Sequence, residues 1–301
     1  GLIAFRGAYH GDTAGALSLT SAKKFKRDSG PHLADVVHAP YPNPRRMGVD
    51  PDEAVERALG EVREILDDPY GGLARPAGIW VEAIQGEAGV VIPPEGFLPG
   101  LRELADDHDL PLIVDEIQTG FGRTGEWFAS DHEGVTPDAM TMAKALGGVG
   151  LPLSAVMMRE DLDTWKPGGH VGTFRGHVPA MVGGRRAIEY IETHDLLDHS
   201  RELGAYLRNR LEETQAAVDG LVDVRGRGLF VGAEFADEDG NPDGDAVTAV
   251  QQYCLRHGVL VWTAGRQGSV LRLIPPLVLT QEQAKAGMDI ICEAVEHVAA
   301  D

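Results

Sequence analysis

Leu112-Ile-Val-Asp115-Glu116-Ile117-Gln118-Thr119-Gly120-Phe121-Gly122-Arg123-Thr124-Gly125 reads as an apolar strand that ends in two carboxylates and opens into a glycine-rich loop. A strand with no polar face suits a parallel sheet buried on both sides, and polar groups at its carboxyl end mark where open α/β sheets bind ligands. Working outward, runs of the same texture recur at 78–82, 110–114, 139–142 and 154–158, separated by helical or Gly/Pro-rich stretches. That spacing predicts an α/β domain with a mostly parallel sheet covered by helices. Leu2-Ile-Ala-Phe5 reads as a further strand. Asp50-Pro51-Asp52-Glu53 supplies an N-cap, a first-turn proline and a capping-box glutamate. The helix it starts should present Val55, Leu59, Val62 and Leu66 on one face and stop before Pro69.

After about Pro179 the texture changes. Helical patterns at 180–193 and 196–218 lead into strand-like pieces at 228–235, 259–262 and 270–274, then a terminal helix over 281–300. We therefore expect a large domain over residues 1–183 and a smaller α+β domain over 184–301.

Composition limits the function. The 301 residues carry 47 acidic and 27 basic side chains, a formal charge of −20, which excludes nucleic acid as a partner. Six lysines against 21 arginines, with carboxylate runs such as Asp237-Glu-Asp239, suggest a protein adapted to high salt. No apolar run approaches the roughly 18 residues that span a bilayer, so no membrane role and a cytoplasmic location are expected. Cys254 and Cys292 lie far apart in helical patterns and read as packing residues. The histidines show no ligand spacing, and Asp237 to Asp245 begins like a calcium loop but has Pro242 where glycine is required, so no metal is expected.

The chemistry is concentrated in two places. One strand after Asp115, Pro137-Asp-Ala-Met-Thr-Met-Ala-Lys144-Ala-Leu-Gly-Gly148 sets a lysine among apolar residues and glycines. Such a setting should depress its pKa and suit it to imine formation. A carboxylate closing one buried strand and a lysine following the next are what pyridoxal phosphate requires, as partner of the ring nitrogen and anchor of the aldehyde. The literal Gly120-x-Gly122-x-x-Gly125 leaves an NAD-dependent oxidoreductase open as a reading of a different class. Against it, Asp-Glu-Ile-Gln intervenes between strand and loop, and no acidic residue closes a strand about 20 residues on.

Four blocks together, Tyr9-His-Gly-Asp-Thr-Ala-Gly-Ala-Leu-Ser18, Val81-Glu-Ala-Ile-Gln-Gly-Glu-Ala-Gly89, Val114 to Gly125 and Met142-Ala-Lys-Ala-Leu146, resemble the signatures of class III aminotransferases of fold type I, in order and spacing along the whole chain. The resemblance implies a pyridoxal 5'-phosphate enzyme working by ping-pong transfer. Lys144 would carry the cofactor as an imine and shuttle the proton, and Asp115 would pair with the pyridinium. Gln118 would donate to the phenolate oxygen, Tyr9 and Ile117 would flank the ring, and His10 belongs to the same cofactor-binding motif. Thr173, in Gly172-Thr-Phe-Arg-Gly176, would reach the phosphate of a neighbouring subunit, which implies a homodimer. Arg272 would grip the carboxylate of 2-oxoglutarate, Glu87 would neutralise it when the other substrate binds, and Glu82 would line the same substrate site. Ala83 and His177 depart from the family's proline and asparagine. The family's phosphate loop lies upstream of the aromatic-His-Gly block, so an N-terminal part is expected to be missing.

Residues 172–177 and 68–79 most resemble family members that move the terminal amine of 2,4-diaminobutyrate to 2-oxoglutarate. Transaminases of ornithine, acetylornithine and 4-aminobutyrate share every site residue named. The same blocks would also suit an aminomutase, a racemase, or a non-catalytic fragment or paralogue.

Overall fold

The computed structural model describes every residue except Arg75, Val149 and Asp301. Its chain forms two compact units, the first built from residues 1–83, 93–121 and 128–194, the second from 84–92, 122–127 and 195–301.

The first unit contains a six-stranded sheet in the order β2-β1-β3-β4-β5-β6. Its strands are β1 (Leu2–Phe5), β2 (Val36–Ala39), β3 (Ile79–Glu82), β4 (Leu112–Asp115), β5 (Ala139–Met142) and β6 (Ala155–Met158). The first five run parallel. Ile3, Phe5, Ile79, Val81, Leu112 and Val114 are fully buried, as apolar two-faced strands between helices must be. β6 departs from the expectation. It runs antiparallel to β5 and leaves Val156 and Met157 exposed, so it is the antiparallel edge strand that otherwise parallel sheets often carry.

Asp50 caps its helix as its sequence predicts, accepting from Glu53 N at 2.9 Å, and the helix runs Pro51–Asp67. Its buried face is Ala54, Ala58, Val62 and Ile65: Val62 lies on it as expected, while Val55, Leu59 and Leu66 lie half-buried one step round. Small alanines let the helix axis come close, while Leu59 turns sideways onto the helix Phe97–Asp107, where a Cβ on Gly100 would lie 2.4 Å from its Cδ1. The amino ends of β4 and β5 are pinned by buried Asp138, which accepts from Leu112 N at 2.7 Å, Arg102 Nη1 at 2.7 Å and Arg159 Nη1 at 2.8 Å.

The expected cut at residue 183 falls inside the helix Val178–Thr193, and the structure keeps that whole helix in the first unit. The reason is local. A Cβ on Gly184 would lie 2.8 Å from the carbonyl of Leu146, so the helix packs tightly on the turn that follows β5.

The second unit carries a four-stranded antiparallel sheet in the order β7-β8-β10-β9: β7 (Leu221–Arg227), β8 (Phe230–Phe235), β9 (Trp262–Ala264) and β10 (Val270–Leu273). The sequence reading misses β7 and places β9 three residues early. β7 mixes Asp223, Arg225 and Arg227 into its alternation, and what stabilises it is pairing with β8 rather than its own hydrophobicity. Helices Leu196–Gln215, Gly244–Arg256 and Gln281–Ala299 bury Leu203, Leu207, Val250, Met288 and Ile291 together with Val231 and Leu271 of the sheet. Cys254 and Cys292 are free and buried in this core, and burial pushes the Cys254 thiol up to about 11. Among the described residues no helix is long and apolar enough to cross a membrane.

Candidate active site

The register of the first sheet sets Glu82, Asp115 and Thr141 side by side at the carboxyl ends of β3, β4 and β5. Strand order reverses between β1 and β3, and crevices at such reversals are where open α/β sheets take ligands. His10 follows β1 and Lys144 follows β5, so chain direction alone delivers both to this end of the sheet.

Asp115 is buried and doubly held. Its Oδ1 accepts from Ile117 N at 3.0 Å, and its Oδ2 lies 2.8 Å from His10 Nδ1. His10 is fixed in turn, its backbone N donating to Thr20 Oγ1 at 2.9 Å and its ring meeting Trp80 edge-on with centroids 6.1 Å apart. A carboxylate so supported is presented in one orientation to whatever cation approaches it. Glu82 is also buried, and its Oε1 accepts from Tyr9 N at 3.0 Å, so it seats the backbone of the aromatic-His-Gly block. The Tyr9 ring leans on Phe25 at 4.5 Å, and its hydroxyl donates to Asp12 at 3.1 Å. Ile117 and Gln118 are half-buried on the turn leaving β4.

Lys144 is brought to the expected place but not into the expected setting. It opens the 3-10 turn Lys144–Gly147 with φ +46°, a left-handed conformation that costs a non-glycine residue energy and is typical of functional sites. Its side chain is exposed, beside an open groove of about 600 Å³ whose walls include Leu151, Pro152 and Leu153. Of the apolar residues around it in sequence, Ala143 and Ala145 line the same groove, but the largest, Leu146, turns into the packing with Gly184, so Lys144 is not enclosed.

One buried group escaped the sequence reading. Glu116 is fully buried and accepts from Ser130 N at 2.9 Å and from Thr119 Oγ1, and burial pushes its carboxyl up to about 7. Neighbouring Asp115 and Glu116 thus take opposite parts, one facing a histidine and the other neutral dipoles. The signal was the doubled carboxylate itself, since side chains of successive residues in extended backbone point to opposite sides and meet different environments.

The second unit holds the other predicted pair. Arg272, on β10 and almost wholly buried, donates from Nη1 to Glu87 Oε1 at 2.6 Å. Arg123 is partly buried, donating to the carbonyls of Leu229 at 3.2 Å and of Pro275, with its guanidinium lowered to about 10 by desolvation. Thr173 lies in an exposed stretch of the first unit with Val171, Phe174 and Val178.

Residues 1–295 match the family Aminotransferase class-III. The chain belongs to the class III aminotransferases. It is 40% identical, over 99% of its length, to the diaminobutyrate–2-oxoglutarate aminotransferase of Rhizobium meliloti, and 35% identical over 98% to an alanine/serine racemase of Pyrococcus horikoshii. It spans 65% and 64% of the length of those two relatives. Among solved structures it resembles an ornithine aminotransferase from Toxoplasma gondii, with a TM-score of 0.83 and 32% identity, covering 99% of this chain and 64% of that one. That structure is described with pyridoxal phosphate at the active site. A reconstructed ancestral transaminase gives a TM-score of 0.89 at 28% identity.

Pyridoxal phosphate is the cofactor of class III aminotransferases, and the donor set of the first unit fits it. A buried carboxylate with its orientation fixed suits the ring nitrogen, an amide on the following turn suits the phenolate oxygen, and a primary amine after the next strand suits the aldehyde.

Proposed function

We propose that this protein transfers the terminal amino group of 2,4-diaminobutyrate, or a similar ω-amino acid, to 2-oxoglutarate. The observation that carries the reaction class is Asp115, locked by His10 and Ile117 at the end of β4, with Lys144 on the turn after the adjacent β5. The relative from Rhizobium meliloti, and the Glu87–Arg272 pair, support the choice of substrates.

When bound, pyridoxal phosphate supplies an aldehyde that takes up amino groups and a ring that accepts electrons. In this reading Lys144 Nζ anchors that aldehyde and moves the proton at the substrate carbon. Asp115 keeps the ring nitrogen protonated, and the two hydrogen bonds it receives keep its carboxylate from turning away. Gln118 donates to the phenolate oxygen, while Tyr9 and Ile117 fix the ring plane. Arg272 Nη1 either meets a substrate carboxylate or stays with Glu87, so dicarboxylate and ω-amine substrates are accepted in turn, as ping-pong transfer requires. Thr173 reaches the phosphate of a second copy in a homodimer. The large exposed side chains of Val171 and Phe174, which flank Thr173 in sequence, support that pairing. We place the enzyme in the cytoplasm.

Incubation with 2-oxoglutarate, pyridoxal phosphate and a panel of ω-amines, with glutamate measured, tests the proposal. Glutamate formed fastest from 2,4-diaminobutyrate supports it, and none from any amine overturns the reaction class. The Toxoplasma gondii structure favours a second reading, ornithine as donor, and a higher kcat/KM for ornithine in the same panel would establish it.

A further inference from the structure

Four residues lie in one row across the second sheet: Arg225 on β7, Gly232 on β8, Arg272 on β10 and Trp262 on β9. Residues paired in this way point to the same face, so the two arginines stand on either side of Gly232, about 10 Å apart at two strand spacings. Gly232 leaves a gap between them, and the segment carrying Glu87 occupies it. A Cβ on Gly232 would lie 3.1 Å from Gly89 O and 3.1 Å from Val90 Cβ.

That segment is a tight turn. Gln85 and Val91 pair through both backbone bonds, at 3.0 and 2.9 Å, and Gly89 N and Val90 N both donate to Gly86 O. Val90, fully buried, sits at φ +54°, an outlier for a β-branched residue, and Gly89 sits at φ +110°. A conformation of this kind persists only where its surroundings over-determine it. Here the surroundings are chiefly Arg225. Its Nε donates to Gly89 O and Val90 O at 3.0 Å each, and its Nη2 donates to Gly89 O at 2.6 Å. Its Nη1 is held by Glu234 at 2.6 Å and by Asp223, which fix the guanidinium from behind. Gly265 N adds a bond to Glu87 O at 3.0 Å.

We propose that Arg225 is a positioning residue for substrate choice: by gripping the carbonyls of Gly89 and Val90 across Gly232, it holds Glu87 on Arg272 and so sets how readily Arg272 is released to a dicarboxylate. The two arginines straddle one turn, one binding its backbone and the other its carboxylate. The proposal rests on the reading of Glu87 and Arg272 as a substrate switch. Losing the grip leaves Arg272 and its strand intact but lets Glu87 drift, which penalises the ω-amine half-reaction and spares the dicarboxylate one.

Arg225→Gln tests this, because the amide is too short to reach both carbonyls while held by Glu234. Arg225→Lys, which keeps the charge and loses the fork, and Gly232→Ala serve as further variants should the first fold poorly. Two quantities are read on the full chain: amide hydrogen exchange in the peptide spanning 84–92, and the ratio of kcat/KM for the ω-amine and glutamate half-reactions. We expect faster exchange in that peptide and a ratio lowered by about 10- to 100-fold, the usual consequence of a small misplacement near a reacting centre. General destabilisation would lower both half-reactions together and leave the ratio where it was. Unchanged exchange overturns the proposal, and so does faster exchange with an unchanged ratio. Glu87→Ala, measured beside them, separates the two ideas. If it skews the ratio and the Arg225 variants do not, only the role of Arg225 fails; if it does not skew the ratio, the switch itself fails.

Discussion

Replacing Glu116 with glutamine should make the protein more stable at neutral pH and leave it nearly unchanged in acid. In the fold this carboxyl is fully buried among neutral donors, and burial raises it from 4.5 to about 7. A carboxyl raised by folding contributes most below its unfolded pKa, where both states hold the proton. That contribution is lost as pH rises toward the folded pKa, because the unfolded chain has already ionised. The difference of about 2.5 units, at about 1.36 kcal/mol each, amounts to roughly 3 kcal/mol. The glutamine amide reproduces the neutral acid: its oxygen accepts from Ser130 N, and its NH2 donates to Thr119 Oγ1. Urea unfolding of both proteins at constant salt, from pH 4.5 to 8.5, measures the effect. The advantage of Glu116→Gln should grow to about 3 kcal/mol by pH 7 and then level off. A stability difference that does not change with pH would mean that Glu116 is already ionised in the fold, and the reasoning from burial would be wrong.

Lys144→Ala should leave the melting temperature close to wild type, since the side chain is exposed, and cut turnover by about a thousandfold or more; a smaller loss would remove Lys144 from the chemistry. Glu87→Ala should depress the ω-amine half-reaction by about 2 kcal/mol more than the glutamate half-reaction, with Arg272→Ala biased the other way, and equal losses in pre-steady-state measurements would refute the switch. Asp138→Ala strands the buried Leu112 N and leaves Arg102 and Arg159 only their second carboxylates, Asp106 and Asp161, and should cost on the order of 2 kcal/mol in denaturant melts, whereas a loss below about 0.5 kcal/mol would show that the cluster is dispensable. With a net charge of −20, raising sodium chloride from about 0.1 to 1 M should raise the melting temperature, and a fall would count against adaptation to salt.

Much of the first unit was legible because its signals are local. Strands β3, β4 and β5 announce themselves as apolar runs, and the helix Pro51–Asp67 begins and ends where its cap and Pro69 require. That Asp115 and Lys144 share one end of the sheet was legible because each lies within a few residues of a strand end, and chain direction carries both to one end of a parallel sheet. β6 was placed correctly along the chain and wrongly as parallel, since direction is set by the connection and not by the strand's own residues. The exposure of Lys144 was likewise illegible: apolar neighbours in sequence do not enclose a side chain when the turn after β5 sends the largest of them, Leu146, the other way.

What the sequence by itself determined is the set of groups and the strands that carry them. A period of two, a cap and a run of blocks are written within a few residues of each other. Tertiary structure decided which group meets which. His10 reaches Asp115 across 105 positions, Glu87 reaches Arg272 across 185, and Arg225 closes on Gly89 across 136. Each of these contacts depends on strand order and register, which arise from packing the whole unit at once. For the same reason the two adjacent carboxylates at the end of β4 differ so much: Asp115 meets a histidine from another part of the chain, and Glu116, fully buried, meets Thr119 and Ser130.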